Sequence, residues 1–360
     1  MKSAIFFIFC LLTLILFSQD AIDYKKPPKE IYDLVMAKPT PTVSIGGDTW
    51  MLIMERSSMP GIEELAQPEL RIAGLRINPN NFGPSRSSYI LNFRLKNIKT
   101  GSEYPVTNLP QNLKAENVRW SSDENKIAFT STSSTTIDLY VIDAATKKAT
   151  KWNKSAVNLE LGNNCSWIDN NTILYPAVSK PLSMAPLKTL APKGPVIQEN
   201  LGKVAAAATY QDLIKSPYDE ALFEFYATTQ LVKNQNGIET KIGNAGIYDN
   251  ISISPDRKYL LFKKIDKPFS YLVPSGGFPS TMYITDINGK EIKMLAHLPS
   301  SELAPKGFDN TLNAPGNFNW MQNEPSTLMW IEPLDSGMVK KKMDYHDIAH
   351  SHSCFQQFFP

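Results

Sequence analysis

The chain is poor in cysteine, in net charge and in long apolar runs. Only Cys10, Cys165 and Cys354 occur among its 360 residues. Their spacing gives no disulfide framework, so a packed core has to stabilise the protein. Cys165 lies just before a strand-like segment and reads as a small buried residue. The formal net charge is +2, which excludes the basic surplus that a nucleic-acid partner would need. One long apolar run stands out, residues 5–17, broken only by Thr13. It follows Met1-Lys2 and is too short to span a bilayer comfortably, but it fits the apolar centre of a signal peptide. Residues 1–21 are therefore expected to be a signal peptide ending near Ser18 or Ala21, with export to the periplasm or outside the cell and no membrane association after cleavage.

Apolar residues make up 42% and charged residues 20% of the chain, a globular composition. The 26 prolines and 14 tyrosines suit strands and loops better than helices. Residues 22–47, with Pro27-Pro28 and Pro39-Thr40-Pro41, read as a Pro-rich linker, within which residues 30–37 have the pattern of a short helix.

Beyond the linker a repeat dominates. Val118-Arg119-Trp120-Ser121-Ser122-Asp123, a polar turn, and Ile127-Ala128-Phe129 are followed by Ile137-Asp138-Leu139-Tyr140-Val141-Ile142-Asp143. The same pattern returns at Ile251-Ser252-Ile253-Ser254-Pro255-Asp256, Tyr259-Leu260-Leu261-Phe262 and Met282-Tyr283-Ile284-Thr285-Asp286. Further copies begin at Ser166-Trp167 and at Phe318-Asn319-Trp320. Repeats of roughly 40–45 residues, each with short strands, are the period of a four-stranded propeller blade. The expected fold is all-β: a β-propeller of four-stranded blades over residues 48–345, incomplete, with about five to six blades. Residues 60–86 and 180–202 have no period and read as loops. Residues 209–214 read as a short helix, and residues 222–231 as part of an outer strand pair. Residues 299–315 read as an insertion, and residues 346–360 as an aberrant or disordered tail.

Asp123, Asp143, Asp256 and Asp286 recur with the repeat. No Asp-x-Asp-x-Asp-Gly run exists, so they read as turn residues bonding nearby amides rather than as calcium ligands. Trp120, Trp167, Trp320 and Trp330 read as blade contacts. His346, His350, His352 and Cys354 are the one zinc-like cluster, with His346 and His350 at helix-face spacing. The cluster lies in the tail, and no metal or other cofactor is expected.

Pro68-Glu69-Leu70-Arg71-Ile72-Ala73-Gly74-Leu75-Arg76-Ile77-Asn78-Pro79, followed by Gly83-Pro84-Ser85-Arg86, resembles the N-terminal propeller region of glutamyl-type serine peptidases of the prolyl oligopeptidase family. Gly194-Pro195-Val196-Ile197-Gln198-Glu199, Thr209-Tyr210-Gln211-Asp212-Leu213, Lys267-Pro268-Phe269-Ser270-Tyr271 and Trp330-Ile331-Glu332-Pro333-Leu334-Asp335 agree in order with that resemblance. It implies a propeller that caps an α/β-hydrolase domain and restricts entry to peptides. None of the 18 glycines belongs to a Gly-x-Ser-x-Gly nucleophile elbow. The resemblance thus covers the propeller alone, with the catalytic domain absent and the chain inactive by itself. Peptide substrate is the partner it implies, reached through the missing domain. The resemblance also draws attention to Arg71, Arg76 and Arg86. A Glu-directed peptidase needs a cation for the substrate carboxylate, and arginine offers two parallel bonds. The same arginines would equally serve to tie a long loop to neighbouring acids. A stand-alone propeller used for binding is the alternative to the peptidase reading.

Overall fold

A computed structural model describes residues 26–57, 59–162, 165–188 and 209–354. The expected signal peptide, the Gly194–Glu199 motif and the last six residues lie outside the described residues. The chain divides into two units, Met1–Pro39 and Thr40–Pro360. In the first, helix α1 (Lys29–Val35) forms where the sequence pattern placed one, and Ile31, Leu34 and Val35 are exposed.

The second unit is a series of antiparallel blades. The first blade is β1 (Thr42–Gly46) and β2 (Trp50–Arg56), then, after an insertion, the two strands that complete it. The insertion holds helix α2 (Ile62–Leu65) and a small sheet of β3 (Leu70–Ile72), β4 (Leu75–Asn78) and β5 (Gly83–Pro84). Strands β6 (Ile90–Asn97) and β7 (Glu103–Pro105) close blade one. Blade two is β8 (Ala115–Trp120), β9 (Lys126–Thr132), β10 (Ile137–Asp143) and β11 (Lys148–Lys151). It joins blade one through the pairing of Ile90 with Ala115. Blade three is β12 (Ser166–Asp169), β13 (Thr172–Val178), β14 (Thr229–Gln235) and β15 (Ile238–Gly246). Helix α3 (Pro217–Ala227) sits in its insertion. Blade four is β16 (Tyr248–Ile253), β17 (Tyr259–Ile265), β18 (Ser280–Asp286) and β19 (Glu291–Leu298). The fifth has three described strands, β20 (Gly316–Trp320), β21 (Thr327–Pro333) and β22 (Asp347–Ser353). This is the propeller architecture that the repeat implied, at the lower end of the expected number of blades.

Burial on both faces explains why the central strands read as unbroken apolar runs. Successive side chains of a strand point to opposite faces. Ile127 and Phe129 pack with Leu52, Phe93 and Leu95 of blade one, while Ala128, between them, packs with Trp167 and Ile173 of blade three. Leu174 and Leu260 meet between blades three and four, and Leu261 meets Trp320 and Leu328 between blades four and five. Blades two, three and four are therefore slabs whose neighbours supply both halves of their cores.

The turns repeat as closely as the cores. Ser121 Oγ donates to Asp123 at 2.6 Å, and Ser254 Oγ to Asp256 at 2.7 Å. The third turn residue, Glu124 in one and Arg257 in the other, has a positive φ of 58° and 64° respectively. The recurring aspartates cap amides as expected: Asp143 accepts from Thr146 N at 2.8 Å, and Asp286 from Asn288 N at 2.9 Å.

Several sequence expectations are corrected. Residues 42–46, assigned to the linker, form β1, because Thr42 to Gly46 pair with Met54 to Trp50. The aperiodic residues 60–86 contain the small sheet β3–β5. Residues 209–214 are not helical. The helix begins instead at Pro217, with Ser216 Oγ accepting from Asp219 N at 3.2 Å, and it occupies most of the segment read as strand. The tail is not irregular throughout, since Asp347–Ser353 pairs along β21 from Pro333 to Thr327.

Candidate functional site

Three blades carry their long insertions at the same place, between the second and third strands. These are residues 57–89, 179–228 and 266–279; the corresponding link in blade two is only residues 133–136. In consecutive blades of like topology these links emerge on one face. There they build a core of their own. Ile72, Ile77 and Phe82 come from the first insertion, Phe223, Phe225 and Tyr226 from α3, and Phe269, Val273 and Phe278 from the third. Phe82 lies 5.3 Å from Tyr226, and Phe223 lies 5.0 Å from Phe269, ring centre to ring centre.

The hairpin β3–β4 is locked into this layer by its tip. Ala73 and Gly74 both have positive φ, 52° and 78°, the geometry of a tight two-residue hairpin turn. Gly74 N donates to Asp212 O at 2.9 Å, and Ser275 N to Ala73 O at 2.8 Å. The tip thus touches both other insertions. The hairpin brings the sequence-designated arginines together. Arg71 and Arg76 are cross-strand partners, and Ser85 N bonds Arg76 O at 2.9 Å beside Arg86.

All three guanidiniums make ion pairs. Arg71 Nε is 2.7 Å and Arg86 Nε 3.3 Å from the two oxygens of Glu69, whose side chain is 6% exposed. Arg76 Nε is 3.2 Å from Asp212. Ser85 Oγ donates to Glu69 at 2.5 Å. That bond, then Arg71 and Arg86, holds the Glu69 carboxyl below its ordinary range. The arginine side chains keep 44–50% exposure. Three guanidiniums against two carboxylates leave one positive charge in excess at an accessible surface. Glu69 and Asp212 were missed at the sequence level. Asp212 is 136 residues from Arg76, and no spacing signal connects them.

Pairwise comparison with known proteins gives two strong relatives. The chain is 31% identical over 348 residues to the Oryza sativa subsp. japonica protein named "Probable glutamyl endopeptidase, chloroplastic", a match that takes in 92% of this chain and 37% of that protein. The Arabidopsis thaliana protein of the same name is 31% identical over 344 residues, 92% of this chain and 36% of the relative. The chain is a partial propeller region related to the glutamyl endopeptidases. It spans little more than a third of the length of these curated relatives. No family model matches it. Among solved structures, the β-propeller domain of the Trilobed protease from Pyrococcus furiosus is similar over 88% of this chain and 69% of that one, with 10% identity and a TM-score of 0.40. Pyrococcus horikoshii acylaminoacyl peptidase is similar over 91% and 39%, with 11% identity and a TM-score of 0.41. Both are distant likenesses.

The other candidates in this propeller region are architectural. Trp167 and Trp320 are buried between blades, and Trp120 and Trp330 pack half-buried beside them. Cys165 is buried, and burial pushes its thiol up to about 12. His346 and His350 do not share a helix face. They flank and lie on β22, where a four-residue separation spans about 13 Å. His346 Nδ1 instead meets Asp335 at 2.8 Å, and the His350 ring stacks on Trp330 at 5.2 Å.

Glu160 is a buried acid beneath the insertion layer. Its segment is pinned there by Leu159 N to Phe82 O at 2.9 Å and by Asn158 Nδ2 to Tyr226 O at 2.7 Å. Glu160 is 5% exposed, and among the described residues neither carboxyl oxygen has a hydrogen-bond partner. Burial raises its pKa well above the ordinary 4.5, so the neutral acid is the folded form. The unfolded chain releases this proton near the ordinary value. Stability from this group is therefore full at pH below 4.5 and declines as pH rises toward the folded-state value. Urea midpoints at pH 5 and pH 8 should differ less in Glu160→Leu than in the native chain. An unchanged difference would contradict the buried neutral acid.

Proposed function

We propose that this chain is the propeller that gates an exported serine peptidase cleaving after glutamate, and that it is inactive by itself. The relationship to glutamyl endopeptidases supports the peptidase association. The observation that carries the glutamate preference is the half-exposed surface of Arg71 and Arg76 on the β3–β4 hairpin and Arg86 just after β5, with its excess positive charge, in the insertion layer. Guanidiniums held in place by Glu69 and Asp212 are pre-oriented, so a substrate carboxylate gains charge-assisted bonds without first ordering the arginines. Support for export is the sequence of residues 1–21 alone.

In a full-length relative, glutamine at the positions matching Arg76 and Arg86 should raise KM for a glutamyl peptide about tenfold while leaving a neutral peptide unaffected. Equal effects on the two peptides would remove the arginines from the specificity site. The purified chain alone should not cleave the glutamyl peptide. N-terminal sequencing of the protein recovered from its native compartment should begin after Ser18 or Ala21, and an intact Met1 would refute export by cleavage.

A further inference from the structure

The first strands of blades two, four and five carry the same distortion. Asn117 in β8, Asn250 in β16 and Asn317 in β20 have positive φ of 55°, 52° and 53°. Each coincides with a shift of strand register, between Glu116 and Arg119, Asp249 and Ser252, and Gly316 and Asn319. A bulge of this kind re-aims the side chains that follow it. The residue two places on is Arg119, Ser252 or Asn319, and Ser166 holds the matching place in β12, one residue before Trp167 as Arg119 is before Trp120. Small neutral side chains suffice at three of these four positions, so the blade itself does not call for an arginine at the fourth.

The turn after the first strand departs from the repeat in the same direction. Glu124 in blade two, Arg257 in blade four and Glu324 in blade five hold one place in it. Each donates its N–H three residues back, to Ser121 O at 2.9 Å, Ser254 O at 2.9 Å and Met321 O at 3.2 Å. An acid serves in two of these turns and an arginine in the third.

The two exceptional cations come to one place. Arg119, Ser166 and Arg257 line both of two adjoining cavities, of ≈ 350 Å³ and ≈ 360 Å³. The first extends to Asp249 and Ser252, and the second to Trp120 and Ser122. Blade three bridges the arginines through Trp167. Its indole N–H bonds Arg119 O at 3.0 Å, and its carbonyl accepts from Arg257 Nη1 at 3.2 Å, which holds that guanidinium at the wall. Asp249 is the one acid among the described lining residues, and it is already paired with Lys263 at 2.7 Å. Among the described residues neither Arg119 nor Arg257 forms an ion pair. Two uncompensated positive charges thus share one cleft, where charge of one sign concentrates the field. Ser122, Ser166 and Ser252 line the same walls and add hydroxyl donors. Two like charges on one cavity repel, and an anion between them would offset that cost.

We propose that Arg119 and Arg257 form a binding site for a phosphate dianion, either free or as the phosphoryl group of a small ester. A phosphoryl group carries a charge of about −1.5 to −2 at pH 7 and three acceptor oxygens, which matches two unpaired guanidiniums with hydroxyls beside them. Guanidinium forks suit phosphate oxygens in geometry as well as charge. A single carboxylate brings one charge and two oxygens, and leaves one arginine uncompensated. The site is separate from the Arg71, Arg76 and Arg86 surface and does not rest on the peptidase reading.

The test is calorimetric titration of inorganic phosphate, and separately of glycerol phosphate, into the purified 360-residue chain, with acetate at equal ionic strength as control. Phosphate or its ester should bind once per chain and weaken with added salt, and acetate should bind at least about tenfold more weakly. Tighter binding of inorganic phosphate would mark the free anion as the ligand, and tighter binding of glycerol phosphate would mark an ester. Arg119→Gln and Arg257→Gln should each weaken binding by about tenfold or more, whereas Arg119→Lys, which keeps the charge, should lose less. The double variant R76Q/R86Q should bind as the native chain does. Arg119 is exposed, so its variants should melt with the native protein, and Arg119→Gln is the decisive variant even if Arg257→Gln, which gives up the bond to Trp167, melts early. No saturable binding of either phosphate, equal binding of acetate, or undiminished binding by Arg119→Gln would overturn the proposal. Loss on R76Q/R86Q with no loss on the cavity variants would also overturn it, moving the anion site to that other arginine surface and leaving the proposed function standing.

Discussion

Phe129→Ala should destabilise the propeller by about 3–5 kcal/mol, the cost of emptying a large buried aromatic site. Phe129 is fully buried in β9. Its ring lies 5.0 Å from Phe93 in blade one and stacks at 5.5 Å on Tyr140 in its own blade. Truncation removes the centre of the interface between two blades. The strands around it are hydrogen-bonded on both sides, so they cannot collapse into the space. A lower urea midpoint with an unchanged slope would report the loss. Ile45→Ala is the contrast. Ile45 is in β1 and 62% exposed, so its loss should stay within about 0.5 kcal/mol. Similar midpoints for the two variants would mean that the blade interfaces do not stabilise the fold as described.

Gly74→Val should release the hairpin tip from the insertion layer. A side chain there must adopt φ of 78°, at a cost of about 1–2 kcal/mol before any contact is counted. A β-carbon would also fall 2.5 Å from Pro274 Cβ. That proline is part of another insertion, so the clash is relieved only by moving the tip. The bonds from Gly74 N to Asp212 O and from Ser275 N to Ala73 O would go with it. Hydrogen exchange should rise in residues 70–86 while the strands of blade two keep their protection. Gly101→Val isolates the contact, since Gly101 has a similar φ of 74° but nothing near its absent side chain. If both variants lost the same stability and neither opened the hairpin, docking of the tip would be refuted.

Local rules made most of the blades legible. Ser121 and Asp123, and again Ser254 and Asp256, announce a turn because a hydroxyl and a carboxylate two residues apart satisfy the amides of a tight reversal. Runs such as Ile127-Ala128-Phe129 mark strands buried on both sides. The misreadings have local causes too. Residues 222–231 alternate enough to imitate a strand, yet Ser216 and Pro217 are a helix start with a cap and a proline at the first position. His346 and His350 have helix-face spacing, but β21 offered an unpaired edge, and pairing with it outweighed the weak helical pattern. The arginines were picked out by a resemblance. Their ion-pair partners were invisible because a salt bridge leaves no mark in spacing.

By itself, the sequence determined the repeat, the all-β character, the turns and the relationship to glutamyl-type peptidases. Each of these is written in intervals of a few residues, or in the return of one pattern every forty or so. Tertiary structure alone decided that three aperiodic insertions share one core and that Glu160 lies buried beneath them. It also decided that Arg119 and Arg257 face a common cavity across Trp167. Those facts depend on which blades become neighbours, and packing between distant segments is selected by shape and burial rather than by any period along the chain.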